Sequence, residues 1–483
     1  MSRETLTAPS ARRWLILAVT VLAQFMVILD IAVVNVALPS IKHDLHFSQA
    51  SLEWVITAYS ILFGGTLLLG GRLADLLGRR RLFIVGVTVF TVSSLLSGLA
   101  WSEGSLIAFR ALQGLGGALL SPAALSIVVT SFPEGRERNT ALGIWGAASG
   151  SGGAAGVLLG GILTSYAGWS WIFFVNLPIG AAVLAATPFL LRESRGALTH
   201  RHFDFAGAFA STGGLMLLAY GIARAANHGW GNATTIGMLS GSALLISAFV
   251  AIESRSPAPL LPLRIFRSRA VSAANATMLT VGTVGFAQFF LLTLYLQQVL
   301  HYSAIETGVA FLGITVVIAV SSNFAQLLTT RFGAQRVLVA GMLLSAAAGL
   351  IYARTPVGGH YFWNVFPGFV VGGIGLAFSF VPVTIAGMSG VAPADAGVAS
   401  GLINTSRQVG GSVGLAAVTT IATTVAAHDG AGIGALNHGF HVALYTLVGI
   451  SLLGAAFAAA VGRPRPVAAE EPVESVYVLK EAA

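Results

Sequence analysis

Fourteen apolar stretches, most of them about 20 residues or longer, follow one another through this chain, and that recurrence decides the fold class before any motif is read. They cover residues 14–38, 52–71, 82–101, 105–129, 138–163, 169–191, 204–224, 233–252, 270–299, 306–328, 335–353, 362–388, 399–427 and 438–461. A backbone crossing hydrocarbon finds no water, so each spanning segment must satisfy its own N–H and C=O groups. The stretches are much longer than the roughly 9 to 11 residues of a barrel strand, which leaves helices as the spanning form. Composition agrees, with 55% hydrophobic and only 9% charged residues. The chain therefore reads as an all-α polytopic membrane protein. Its first span follows Arg12 and Arg13 but is too long for a signal-peptide core and lacks a small-residue cleavage site, so it is expected to be retained. With no cysteine, disulfides and thiolate chemistry are excluded.

Charge fixes an orientation. Of the 26 lysines and arginines, only Lys42, Arg224 and Arg354 fall in loops on one side of the expected membrane, and only Arg110 and Arg407 lie inside spans. The rest gather on the other side, at Arg12 and Arg13, Arg72 and Arg79 to Arg81, Arg136 and Arg138, Arg264 to Arg269, Arg331 and Arg336. Cytoplasmic loops collect basic residues, so both termini are expected in the cytoplasm. The pI near 10.2 follows from this bias and points to topology, with no nucleic-acid partner implied. The preference for arginine over lysine suggests a GC-rich bacterial genome, hence a bacterial cytoplasmic (inner) membrane.

A repeat divides the chain. Leu45-His46-Phe47-Ser48 recurs 255 residues later as Leu300-His301-Tyr302-Ser303, and the same offset pairs Gly78 with Gly333, Arg81 with Arg336 and Gly86 with Gly341. Agreement in two separate loops argues for duplicated halves in parallel orientation. Spans one to six then form one six-helix bundle, residues 14–191, and spans nine to fourteen another, residues 270–461. Residues 192–269 read as an insertion with two extra helices. Residues 1–13 read as a cytoplasmic tail, and residues 462–483, with Pro464, Pro466 and four glutamates, as a disordered one.

Asp30 is the only acid deep within any apolar stretch. A carboxylate there costs roughly 2.5 to 3.5 kcal/mol on insertion scales, so its helix should turn it toward the bundle interior. Arg110, buried in the fourth span and unable to lose its charge, is its natural partner. Gln113, Gly114 and Gly117 stand three, four and seven residues further on, giving one polar, small-residue face. Burial favours the neutral acid and a nearby guanidinium favours the carboxylate, so Asp30 is assigned as the proton carrier and Arg110 as its modulator, with a permanent structural bridge the competing reading. Asn404, Arg407, Gln408 and Gly411 make a similar face in the thirteenth span. Gln24, Phe25, Asn35, Gln113, Phe286, Gln288, Phe289, Tyr295, Asn404, Arg407 and Gln408 are candidates for a substrate cavity.

Five segments together carry a family resemblance: LDIAVVNVALP from Leu29 to Pro39, GRLADLLGRR from Gly71 to Arg80, RALQGLG from Arg110 to Gly116, the glycines of the fifth span, and WSWIFFVNLPIG from Trp169 to Gly180. On these the chain resembles the major facilitator superfamily, in its fourteen-span drug:proton antiporter subfamily of the EmrB and QacA type. The resemblance implies the major facilitator fold, two six-helix bundles plus two extra helices. It implies that Gly71, Asp75, Gly78, Arg79 and Arg80 form a conformational latch between the halves on the cytoplasmic side. It implies that Gly143, Gly152, Gly156, Gly160 and Gly161 are the antiporter glycines of the fifth span. Three departures stand out: Val157 replaces a proline, Leu76 replaces a basic residue, and Thr330 stands where a second-half copy of Asp75 would, which makes the latch asymmetric.

Enzyme chemistry finds no support. The pairs His438/His441 and His200/His202 lack accompanying carboxylate clusters, so no metal is expected, and no GxxxxGK[ST] phosphate loop is present. No cofactor is expected, and the drive falls to a proton gradient. The resulting expectation is proton-coupled efflux of hydrophobic small molecules, drugs or antibiotics, by alternating access, in a monomer whose partners are substrate, protons and the lipid bilayer. A proton symporter or uniporter for a metabolite, or a non-transporting sensor, shares much of this pattern.

Overall fold

The computed structural model describes residues 10–47, 49–52, 54–195, 204–256, 259–392, 395–430 and 432–461. Among the described residues there are helices and no β-strand. In chain order they are α1 (Ser10–Asp44), α2 (Gln49–Leu52), α3 (Trp54–Leu77), α4 (Arg79–Gly98), α5 (Glu103–Ser131), α6 (Arg136–Tyr166), α7 (Trp171–Phe174), α8 (Asn176–Leu190), α9 (Phe205–His228), α10 (Ala233–Glu253), α11 (Arg269–Leu294), α12 (Ala304–Phe332), α13 (Ala334–Tyr352), α14 (Phe366–Met388), α15 (Ala396–Asp429) and α16 (Ile433–Ala459). Thirteen helical stretches among the described residues are long and apolar enough to cross a bilayer. The span expected at 138–163 lies in α6, whose 31 residues run unbroken past Val157.

Two boundaries differ from expectation, each for a local reason, and the described part of α1 starts at Ser10, where the Arg12 guanidinium donates to the carbonyls of Leu190 (3.2 Å) and Phe189 (3.3 Å) at the end of α8. A cation there meets carbonyls that have no partner within their own helix. The span expected at 169–191 is divided at Val175 into α7 and α8, since Pro178 has no N–H to give the Phe174 carbonyl four residues back. The span expected at 270–299 ends its α-helical part at Leu294 and finishes as a wide π turn, Tyr295–Val299, closed by the Leu300 N–H on the Tyr295 carbonyl at 3.0 Å. The expected tail 462–483, with Arg3, His200 and Arg201, lies outside the described residues.

The repeat seen in the sequence is also a repeat of conformation. His46 and His301 both take the left-handed backbone, at φ 56° and 58°, and Gly78 and Gly333 follow suit at 111° and 88°. Gly86 is pressed against the backbone of Leu120 and Gly341 against that of Phe378, so neither has room for a Cβ.

The packing of the core distinguishes the two ends of the bundle. At the end carrying the arginine-rich loops, buried side chains of both halves form one continuous cluster, including Phe83, Leu125 and Phe132 with Ala274, Val383 and Ile403. At the opposite end each half keeps a core of its own, around Val34, Ile41 and Phe173 in one and around Leu291, Tyr352 and Phe369 in the other. The halves thus share one core at one end and keep separate cores at the other. Helices α9 and α10 pack on each other, with Ser242 donating to the Gly214 carbonyl at 2.8 Å. Helix α9 lies along the junction of α3 and α15, where Met216 occupies the space a Cβ at Gly65 would need.

Candidate functional site

Asp30 is completely buried, and every polar neighbour of its carboxylate is a donor. Oδ2 accepts from Arg110 Nη1 at 2.6 Å, and Oδ1 accepts from Gln113 Nε2 at 2.8 Å and from Asn176 Nδ2 at 2.9 Å. Three elements converge to make this cage: α1 carries the acid, α5 the guanidinium and the first amide, and α8 the second. Arg110 is satisfied in turn by the Gln113 Oε1 (2.6 Å) and the Val55 carbonyl (3.2 Å), and its plane lies 4.4 Å from the Tyr59 ring centroid. The close approach of α3 that brings Val55 and Tyr59 there depends on Gly114, where a Cβ would run into the Tyr59 carbonyl. Asn176 also donates to Ser94 Oγ at 2.9 Å, and Ser94 to the Phe173 carbonyl at 2.9 Å. The arrangement fits an ionised carboxylate; a proton on either oxygen would face donors only.

Sequence reasoning brings Asp30 and Arg110 together and misses Asn176 and Ser94. Gln113, expected to line a substrate cavity, belongs instead to the Asp30 cage. The only advance sign of Asn176 is its place just before Pro178, at the start of a helix inside an apolar run.

A cavity of about 220 Å³ lies between the halves. One wall is α1, through Ile28, Ile31, Ala32 and Asn35; most of the rest comes from α11 to α15, including Phe286, Gln288, Phe289, Ser345, Phe380 and Arg407. Helix α1 therefore presents one face to this cavity while Asp30 points from its other side into the cage. Of the residues expected in a cavity, Asn35, Phe286, Gln288, Phe289 and Arg407 line this one, and Gln24, Phe25, Asn404 and Gln408 do not. Gln24 accepts from Ser121 Oγ at 2.8 Å, and Phe25 lies beside Gly152 on α6. Asn404 bonds the Ser400 carbonyl at 3.0 Å, and Gln408 reaches a 20 Å³ gap beside α9. Tyr295 is occupied with the Pro356 carbonyl at 2.8 Å.

Two seams join the halves around the cavity. Along α6, Gly152, Gly156 and Gly160 face α1, where a Cβ at Gly156 would sit 2.6 Å from Ala32 Cβ and 2.8 Å from the Leu29 carbonyl. Gly143 faces Gln326 of α12, and Gly161 faces Ile305 of the same helix. The five glycines thus let one helix press on α1 and α12 at once. In the other seam, α3 meets α15. Asp75 pairs with Arg79 at 2.8 Å and also accepts the N–H groups of Gly397 (3.2 Å) and Val398 (3.1 Å), capping the first turn of α15. Gly71 abuts the Gly397 carbonyl. Thr330, which the repeat pairs with Asp75, makes only neutral bonds, accepting from Asn139 at 3.2 Å and from Gln326 at 3.4 Å. Gly78 turns the chain into α4, where Glu193 accepts the backbone N–H groups of Arg80 and Arg81 at 3.2 Å each. Nothing in the sequence sets that carboxylate apart from an ordinary loop charge.

Comparison with known proteins bears on this architecture directly. Residues 20–415 match the model of the Major Facilitator Superfamily. The puromycin resistance protein pur8 of Streptomyces alboniger is 39% identical over 477 residues, covering 96% of this chain and 94% of that one. The cephamycin export protein CmcT of Amycolatopsis lactamdurans is 42% identical over 422 residues, 86% of each. The crystal structure of the human organic anion transporter MFSD10 (TETRAN) shares the fold at TM-score 0.65 and 15% identity, covering 94% of this chain and 100% of that one. The family read from the sequence motifs is the family found: this chain belongs to the Major Facilitator Superfamily and is a membrane transporter, not an enzyme.

Proposed function

We propose that this transporter is a proton-coupled exporter of hydrophobic small molecules of the antibiotic class, in a bacterial cytoplasmic membrane, with both termini inside. The observation that carries the reading is the double duty of α1: one face walls the cavity through Ile28, Ile31, Ala32 and Asn35, and the other buries Asp30 among donors. Proton binding at Asp30 cancels the charge that Arg110, Gln113 and Asn176 converge on. The cage then loosens, and α1 can shift on the glycines of α6. A shift of α1 changes the cavity wall, so protonation and substrate binding act on the same helix. Relatives named for puromycin resistance and cephamycin export support the direction of transport. The energy suffices, at about 2.3 kcal/mol per 100 mV and about 1.4 kcal/mol per pH unit for each inward proton.

The alternating cycle also requires the α3–α15 seam to open. Asp75 supports this role for the latch residues, since its bonds from Gly397 and Val398 cross from one half to the other and require the arginine-rich end to be closed. Asp30→Asn, reconstituted in proteoliposomes, is expected to abolish substrate-induced proton movement while keeping a normal thermal unfolding profile. Wild-type proton movement in that variant would remove Asp30 from the mechanism.

A further inference from the structure

The two intramembrane arginines are in opposite situations. Arg110 has a carboxylate, an amide, a carbonyl and a ring around it, whereas Arg407 lines the cavity, is only 7% exposed, and pairs with no acid among the described residues. Of its five N–H groups, Nη2 makes a long bond of 3.4 Å to Asn404, and Nε has no partner at all. Its closest aromatic contact, Phe380, has its centroid 5.7 Å away. The cavity wall contains no aspartate or glutamate, and Asp30 points away from it. A guanidinium left this way at bilayer depth is costly, and intramembrane charges otherwise pair with one another or with a ligand.

From this we infer that Arg407 is the recognition residue for an amphiphilic organic anion, a solute with a carboxylate or comparable flat oxyanion on a compact apolar body. The planar fork of the guanidinium matches two oxygens at once, and its charge survives at any working pH. Phe286, Phe289, Phe311 and Phe380 supply the apolar surround. Gln288 and Ser345, on the same wall, offer neutral polar contacts that do not cancel the charge. An oxyanion entering the cavity supplies a charged partner for Arg407, which a neutral solute of the same shape cannot do. This assignment rests on the export reading above and names its substrate class.

The test uses three probes of one shape and different charge: anthracene-9-carboxylate, its neutral carboxamide, and 9-anthracenylmethylammonium. Binding to the full chain in zwitterionic nanodiscs is followed by probe fluorescence, with empty nanodiscs subtracted. The carboxylate is expected to bind at least about tenfold more tightly than the amide, the scale of one charge-assisted pair, and the ammonium more weakly than either. Arg407→Gln should bring carboxylate and amide within about twofold, and Arg407→Lys should retain part of the preference. Equal binding of carboxylate and amide by the wild type overturns the inference without reference to any variant, as does a preference that survives in Arg407→Gln. Export by the wild type of a neutral antibiotic without any charge preference would sink this assignment alone. A charge preference with neither drug nor proton movement would sink the export reading instead.

Discussion

Replacing Asp75 by Asn should open the arginine-rich end of the transporter, and the structure gives the size of the effect. The Asp75 carboxylate holds Arg79 at 2.8 Å and caps α15 through the N–H groups of Gly397 and Val398, all in a buried site. Asparagine keeps the shape and one acceptor oxygen but loses the charge. A bond to a charged group contributes roughly 1.5 to 3 kcal/mol and a neutral one roughly 1, so losing the charge across the two bonds that reach α15 removes about 2 to 3 kcal/mol from the closed seam. At tenfold per 1.4 kcal/mol, the open population rises about 30- to 140-fold. The chain has no cysteine, so a single reporter can be placed without altering a native thiol. Ser400 is suited to it: fully buried on α15, with its hydroxyl on the Pro122 carbonyl of the opposite half at 3.0 Å. Labelling of Ser400→Cys by a membrane-impermeant maleimide, added from the side of the arginine-rich loops, should accelerate by that factor when Asp75→Asn is introduced. An unchanged labelling rate, with protein folding intact, would refute the claim that Asp75 holds the seam.

Two further outcomes are expected. Gly156→Leu puts a Cβ only 2.6 Å from that of Ala32, with the rest of the side chain still to be housed, so it should push α1 away from α6, abolish export and lower stability by about 1 to 3 kcal/mol, read by thermal unfolding. Asn176→Leu removes the 2.9 Å bonds to Asp30 and Ser94 and should cost about 1 to 3 kcal/mol, whereas Asn176→Asp should disrupt proton coupling more severely by setting two acids side by side; proteoliposome proton flux compares them.

How far the sequence reaches depends on what each residue costs in hydrocarbon. Asp30 and Arg110 can be paired in advance because both are expensive to leave alone and no other deep acid is on offer. Neutral polar residues carry no such signature. Asn176 and Ser94 sit in apolar runs without distinction until the break at Val175 turns Asn176 toward α1. Gln113 illustrates a related limit: helical spacing shows that it shares a face with Arg110 but not which neighbour that face meets. Gln24, Asn404 and Gln408 are legible as polar interior residues, yet the first two bond Ser121 and Ser400 outside the cavity lining and Gln408 turns to a gap beside α9. Glu193 sits in a stretch that reads as loop, where only the folded chain reveals that it caps α4. The glycines of α6 are legible as a series, but their division between α1 and α12 comes from three-dimensional packing.

His46 and His301 hold the same left-handed backbone 255 residues apart, a conformation uncommon outside glycine. The same turn stands at the same point of each half, with α9 and α10 lying between the two along the chain. The register it preserves supplies an alignment that needs no homologues, so that any residue of the first helices can be matched to its counterpart in the other half by counting alone.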